Sequence, residues 1–202
     1  MCEPECAREL SCPQGWTLLQ SGCYRLLQTE TGVTKDTAAS QCRERGGYLV
    51  DITSKQELDS VMDWYSDNLQ PDKMFKADSI WLGIHNDTEK NAWVSDRTGQ
   101  PISFVNWLDT EPDHEKDNEK CAAIFADRNF NYDFQLKPAG WYDLPCSTQG
   151  FDFWKKWRIN LAALCERDVP DTLEAAKTGD QETERVLGAD GCYESKILSL
   201  LI

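Results

Sequence analysis

The chain predicts an α+β fold, and two patterns carry that reading. Helical spacing of apolar residues occurs twice between Lys35 and Asp67, whereas from Ser79 onward apolar residues fall in short strand-like runs. This segregation predicts two helices flanking small antiparallel sheets. Nine cysteines among 202 residues add a third feature. None forms a compact paired CxxC zinc set, so they point to disulfides and an oxidising compartment. The chain is long enough for one ample core, and eight Trp, seven Phe and six Tyr supply it.

Residues 1–11 read as a polar N-terminal tail carrying Cys2 and Cys6. Cys12 to Tyr24, CPQGWTLLQSGCY, predicts two short strands around Gln20, Ser21 and Gly22, with Cys12 and Cys23 placed to cross-link them. Lys35 to Arg45 puts Ala38, Ala39 and Cys42 at helical spacing, and Gly46-Gly47 stops the run. Tyr48, Leu49 and Val50 are extended, after which Thr53 or Ser54 caps a second helix. Leu58, Val61, Met62 and Tyr65 form its apolar face, and Asp59, Asp63 and Asp67 lie mostly opposite.

Strands are then expected at IWLGI, NAWVS and, past a turn at Asp96 to Pro101, ISFVNW. Gly83 marks a close backbone approach, and Trp81, Trp93 and Trp107 are assigned to the core. AAIFA after Cys121 and LAALCE near the end complete the strand set. Asp127 to Lys137 and Ser147 to Asn160 look inserted, the second containing the basic aromatic cluster Phe151 to Arg158. Residues 168–202 read as an acidic, weakly ordered tail, with Cys192 and ILSLLI as exceptions.

A formal charge of -14 argues against nucleic acid as a partner, since a phosphate backbone is bound by clustered Lys and Arg. Negative mean hydropathy and the lack of a long apolar run predict no membrane insertion. No signal peptide opens the chain, which for a disulfide protein suggests a mature or truncated sequence.

Between Glu111 and Cys146, the carboxylates Glu111, Asp113, Glu119 and Asp143 have spacings that allow convergence on one hard cation. Pro112 fixes its own backbone and biases Glu111 toward an extended conformation. Cys121 and Cys146 are placed to tie the two halves together. Carboxylates about 4 Å apart repel by roughly 4 kcal/mol per pair at an effective dielectric near 20, so four of them converging need a cation or spread apart. Calcium, which takes about six to eight oxygens in irregular geometry, suits it. The alternative is a solvated acidic loop without metal.

Taken together, these stretches resemble a C-type lectin-like domain of the long form, over about residues 12–167. The carriers are CPQGW and GCY, AASQCRERGGYL, WLGI, Trp93 with its following turn, FVNW, Glu111-Pro112-Asp113, the Glu119 to Cys121 step, WYDLPC and ALCE, in that order. The resemblance implies the disulfide-bonded C-type lectin-like fold with a long irregular calcium-binding loop region. It pairs Cys12 with Cys23, Cys42 with Cys165 and Cys121 with Cys146, a choice that spacing does not make by itself. The second bond would contribute on the order of 4 to 5 kcal/mol in the chain-entropy model. Cys2, Cys6 and Cys192 are left over, which opens the way to a disulfide-linked oligomer.

The same resemblance implies one calcium held by Glu111, Asp113, Glu119 and Asp143, and sugar contacts at Glu111, Asp113, Glu119 and Tyr142. Two residues depart from the family pattern. Asp113 lacks the amide that donates to a sugar hydroxyl, and Tyr142 stands where Asn is usual, a phenol being a poor calcium ligand. An auxiliary calcium site is expected to be absent, because His114 and Lys120 occupy its positions and Asp87 alone does not rescue it.

The implied function is a secreted, calcium-dependent lectin module that recognises carbohydrate or glycoprotein glycans. The alternative is a C-type lectin-like protein that binds protein or mineral surfaces, with calcium optional and no sugar. Catalysis is not expected: Glu111 and Asp113 are an acid pair of the kind used in glycoside hydrolysis, but His85 and His114 lack a Ser or Cys partner set. Phe130, Tyr132 and Phe134 are candidates to stack on a sugar or pack on the domain, and Phe151 to Arg158 to pack on itself or contact a protein. Asn86-Asp87-Thr88 matches the glycosylation acceptor pattern.

Overall fold

The computed structural model describes residues 11–20, 22–27, 31–68, 79–114, 118–125, 139–153, 157–169, 183–187 and 193–197. The elements run β1 (Thr17–Leu19), β2 (Gly22–Leu27), α1 (Lys35–Arg43), β3 (Tyr48–Leu49), α2 (Lys55–Asn68), β4 (Ser79–Asp87) and β5 (Ala92–Ser95). They continue with β6 (Cys121–Phe125), β7 (Trp141–Leu144), β8 (Gly150–Phe153), β9 (Trp157–Asp168), β10 (Thr183–Leu187) and β11 (Tyr193–Ile197). Two compact units result, Gly15–Asp168 and Met1–Gln14 with Val169–Ile202. In the latter, β10 and β11 pair antiparallel.

In the former unit the strands join in the order β1-β2-β9-β4-β6-β7, with β3 and β8 also paired to β9 and β5 to β4. The pairings are antiparallel except at the centre, where β4 and β9 run parallel from Ser79 and Leu161. The sheets expected to be antiparallel are therefore mixed. Both central strands are covered on both faces, the setting in which parallel pairing is found.

Each helix takes one face. Along β4, Ile80, Leu82 and Ile84 join the cluster that includes Leu58, Val61, Met62 and Tyr65 of α2. Trp81 points the other way, into the cluster with Ala38 and Cys42 of α1. Strands β6 and β9 alternate in the same manner, as a side-chain period of two requires. Gly83 lies at a close backbone crossing, as expected: a Cβ there would stand 2.5 Å from Leu49 O.

The helix ends follow from local chemistry. Thr34 caps α1 by accepting from Thr37 N–H. At its other end Gly46, at φ 76°, lets Gly47 N–H reach Cys42 O and Gly46 N–H reach Arg43 O, the paired bonds of a Schellman stop. Ser54 is the cap of α2, accepting from Glu57 N–H at 3.2 Å. Glu57 in turn accepts from Thr53 N–H and from the Tyr24 hydroxyl, so the start of α2 is held to β2.

ISFVNW is not a strand. Ile102 N–H bonds to Trp93 O, whereas Asn106 O accepts from Trp141 N–H. A segment that changes partner midway satisfies its backbone without a ladder. All six cysteines paired by the resemblance are disulfide-bonded, with Cys42–Cys165 and Cys121–Cys146 formed as expected. These are intramolecular; Cys2, Cys6 and Cys192 lie outside the described residues. No helix among the described residues is long and apolar enough to cross a membrane.

Candidate metal centre

The segment between β5 and β6 carries the acidic motif to β7. Leu108 N–H donates to Trp141 O and Trp141 N–H to Asn106 O, each at 2.9 Å, and buried Asn106 donates its amide to Ala139 O. The motif follows this strapped stretch directly, with Glu111–Pro112 in the cis form. Aromatic rings pack here: Trp107 meets Trp141 edge-on at 5.7 Å and Trp93 at 4.9 Å.

Glu111, Asp113 and Asp143 come together, each presenting a carboxylate oxygen within 4.8 Å of the others. Asp143 N–H donates to Glu111 Oε2 at 3.2 Å, while Asp143 accepts from Asp113 N–H at 3.2 Å and His114 N–H at 3.3 Å. The Asp143 side chain is fully buried. Burial first, then the hydrogen bond shared with Asp143 and the nearby acid charges, push the Glu111 carboxyl up to about 7. Oxygens bound to one calcium at about 2.3–2.6 Å can lie up to about 5 Å apart, so the spacing and the all-oxygen donor set fit that ion.

His114 enters this group unannounced. The sequence marked it as an obstacle to an auxiliary site and as a histidine without a catalytic partner set, yet its Nδ1 stands 2.7 Å from Asp143 Oδ2 and its ring stacks on Trp93 at 6.3 Å. Its backbone is left-handed, φ 49°, a region His enters more readily than most residues. The signal available was its position next to Asp113; its partner lies on another strand.

Glu119 is buried just before β6 and lies outside the three-carboxylate group. Tyr142 is turned away from it. On β7, Trp141 packs with the α2-side cluster, while Tyr142 and Leu144 pack with the α1-side cluster. The Tyr142 hydroxyl donates to Ser79 Oγ at 2.8 Å, on the opposite face from Asp143 by strand alternation. Asp87 caps the β4–β5 turn, accepting from Glu89 and Lys90 N–H. Phe130, Tyr132 and Phe134 lie outside the described residues, as do residues 154–156 of the basic aromatic cluster; the backbone at 151–153 pairs with that at 157–159 in the β8–β9 ladder.

The Lectin C-type domain profile matches residues 31–150. A perlucin-like protein of Mytilus galloprovincialis is 26% identical over 144 residues, covering 71% of this chain and 81% of that one. The cow C-type carbohydrate-recognition domain of CD23, solved in the presence of GlcNAc2Man3 oligosaccharide, superposes with TM-score 0.57 at 19% identity over 80% of this chain and 98% of that one. A calcium-independent type II antifreeze protein does so with TM-score 0.57 at 24% identity over 81% and 98%. The two helices, mixed sheet and disulfides are those of the same fold. The chain belongs to the C-type lectin domain family.

Proposed function

We propose that the chain is an extracellular, calcium-dependent carbohydrate-binding module with one calcium site. Glu111, Asp113 and Asp143 would hold the ion, while Glu119, the fourth carboxylate of the expected set, stands outside their group. The observation that carries this reading is the convergence of three acids, each with a carboxylate oxygen within 4.8 Å of the others. Such a group is stabilised by a cation and strained without one. Bound calcium supplies coordination positions for vicinal sugar hydroxyls. Glu111 and Asp113 present acceptors to those hydroxyls, and with no amide donor at 113 the sugar preference departs from that of an Asn-containing motif. The family is generally non-enzymatic, in keeping with a binding module.

His114 favours a second reading, a protein- or mineral-surface binder with calcium optional, because its imidazole already stands against Asp143. Calcium titration by calorimetry, wild type against Asp143→Asn, separates the two. Uptake of one ion by the wild type, strongly weakened in the variant, supports the first; no uptake by the wild type sinks it. A glycan array read with and without chelator then tests sugar binding, and signal that survives chelation sinks the calcium mechanism.

A further inference from the structure

On the α1 side of the sheet, away from the carboxylate group, lies a cavity of about 600 Å³. It adjoins a second of about 530 Å³ that shares Asp36, Lys120 and Cys146. In a chain of net charge -14, its lining is rich in cations: Lys35, Arg43, Arg97 and Lys120, with His85, against Asp36 and Asp96. Ala39, Leu49 and the Cys121–Cys146 disulfide supply apolar lining.

The cations have different tasks. Arg97 is engaged by Asp168 at 2.7 and 2.9 Å and lies over the Tyr48 ring. Buried Lys35 stands 2.7 Å from one Asp96 oxygen, and His85 Nδ1 stands 2.6 Å from the other. Lys35 also donates to Ile84 O, which leaves one of its three N–H groups uncommitted. Asp96 is thereby neutralised. Arg43 and Lys120 are exposed, and neither side chain has a hydrogen-bond or ion-pair partner among the described residues. Beyond a Debye length of about 8 Å at physiological ionic strength the chain's acid surplus is screened, so these nearby cations set the local potential.

We propose that this cavity is a second ligand site, for a saccharide-sized organic anion whose sulfate or carboxylate group is held by Arg43 and Lys120. The volume lies within the range of small-molecule sites, and the apolar lining accepts the ligand's uncharged body. Both cations carry donors for charge-assisted bonds to an oxyanion. The site is independent of the carboxylate group and of calcium.

The test is calorimetric titration of the full chain with glucose 6-sulfate, glucuronate, inorganic sulfate and glucose, each with calcium and with chelator. At least one sugar anion is expected to bind, glucose is not, and chelation should leave the result unchanged. In the Arg43→Glu/Lys120→Glu double variant, altered at exposed positions, affinity should fall by at least about tenfold. The proposal is overturned by no sugar-anion binding up to about 10 mM, by equal binding of glucose, by an unchanged double variant, or by loss on chelation. Inorganic sulfate binding as tightly as glucose 6-sulfate overturns the organic ligand.

Discussion

Asp96 and Asp143 each have a histidine Nδ1 close by, His85 at 2.6 Å and His114 at 2.7 Å. Around Asp96 the carboxylate has an ammonium partner, because Lys35 Nζ stands at 2.7 Å. Around Asp143 two more carboxylates crowd in instead. The consequence appears in Glu111, whose carboxyl is pushed up to about 7. A shared Asp–His pair therefore says little about role; the third partner decides it. A Lys ties the pair into the scaffold, whereas further acids leave a group that would draw a cation.

Three measurements break or sharpen this contrast. The largest effect is expected from Lys35→Met, which leaves Asp96 with His85 alone and Ile84 O without its donor. Lys35 is buried but Asp96 is exposed, so losing the ion pair and the hydrogen bond to Ile84 O together costs about 2 to 3 kcal/mol. Urea unfolding should show that loss, and a change below about 1 kcal/mol would mean that the scaffold role is wrong.

Glu166 extends the contrast to a mostly buried acid. It accepts from Asp51 N–H at 3.0 Å, and burial is the leading cause that pushes its carboxyl up to about 7. The folded value lies above the ordinary one, so the native state binds more protons than the unfolded chain. Stability from this group is therefore fullest below about pH 4.5 and is lost as pH rises through about 7. Glu166→Gln should flatten the decline by about 2 kcal/mol, allowing for solvent screening. Urea midpoints at about pH 5 and about pH 8 check it, and parallel wild-type and variant profiles would remove Glu166 from the account.

The smallest effect concerns His114→Ala. With the imidazole gone from Asp143, calcium should bind about threefold more tightly, the size of one modest hydrogen bond. Weaker calcium binding in this variant would show that His114 positions Asp143, and the two aspartates would then be held alike.

Local patterns were legible in the sequence. The α2 face and the stop at Gly46-Gly47 depend on neighbours within a turn or two, and all four predicted apolar residues of α2 are buried. ISFVNW misled because its apolar content matches a strand while its hydrogen bonds go to two different strands. At the site, Glu111, Asp113 and Asp143 were readable as acids by position, and the structure brings them together. Their histidine was not, since the His114–Asp143 and Lys35–Asp96 pairs are set by how loops meet the sheet. Tyr142 was decidable in principle: period two along β7 puts it on the face opposite Asp143.

That alternation along β7 also divides the strand's tolerance to change. Positions 141 and 143 answer to the aromatic bed and the acidic loop, whereas 142 and 144 answer to the packing beside α1. A substitution at 143 changes the acidic loop while the buried face at 142 and 144 keeps its packing.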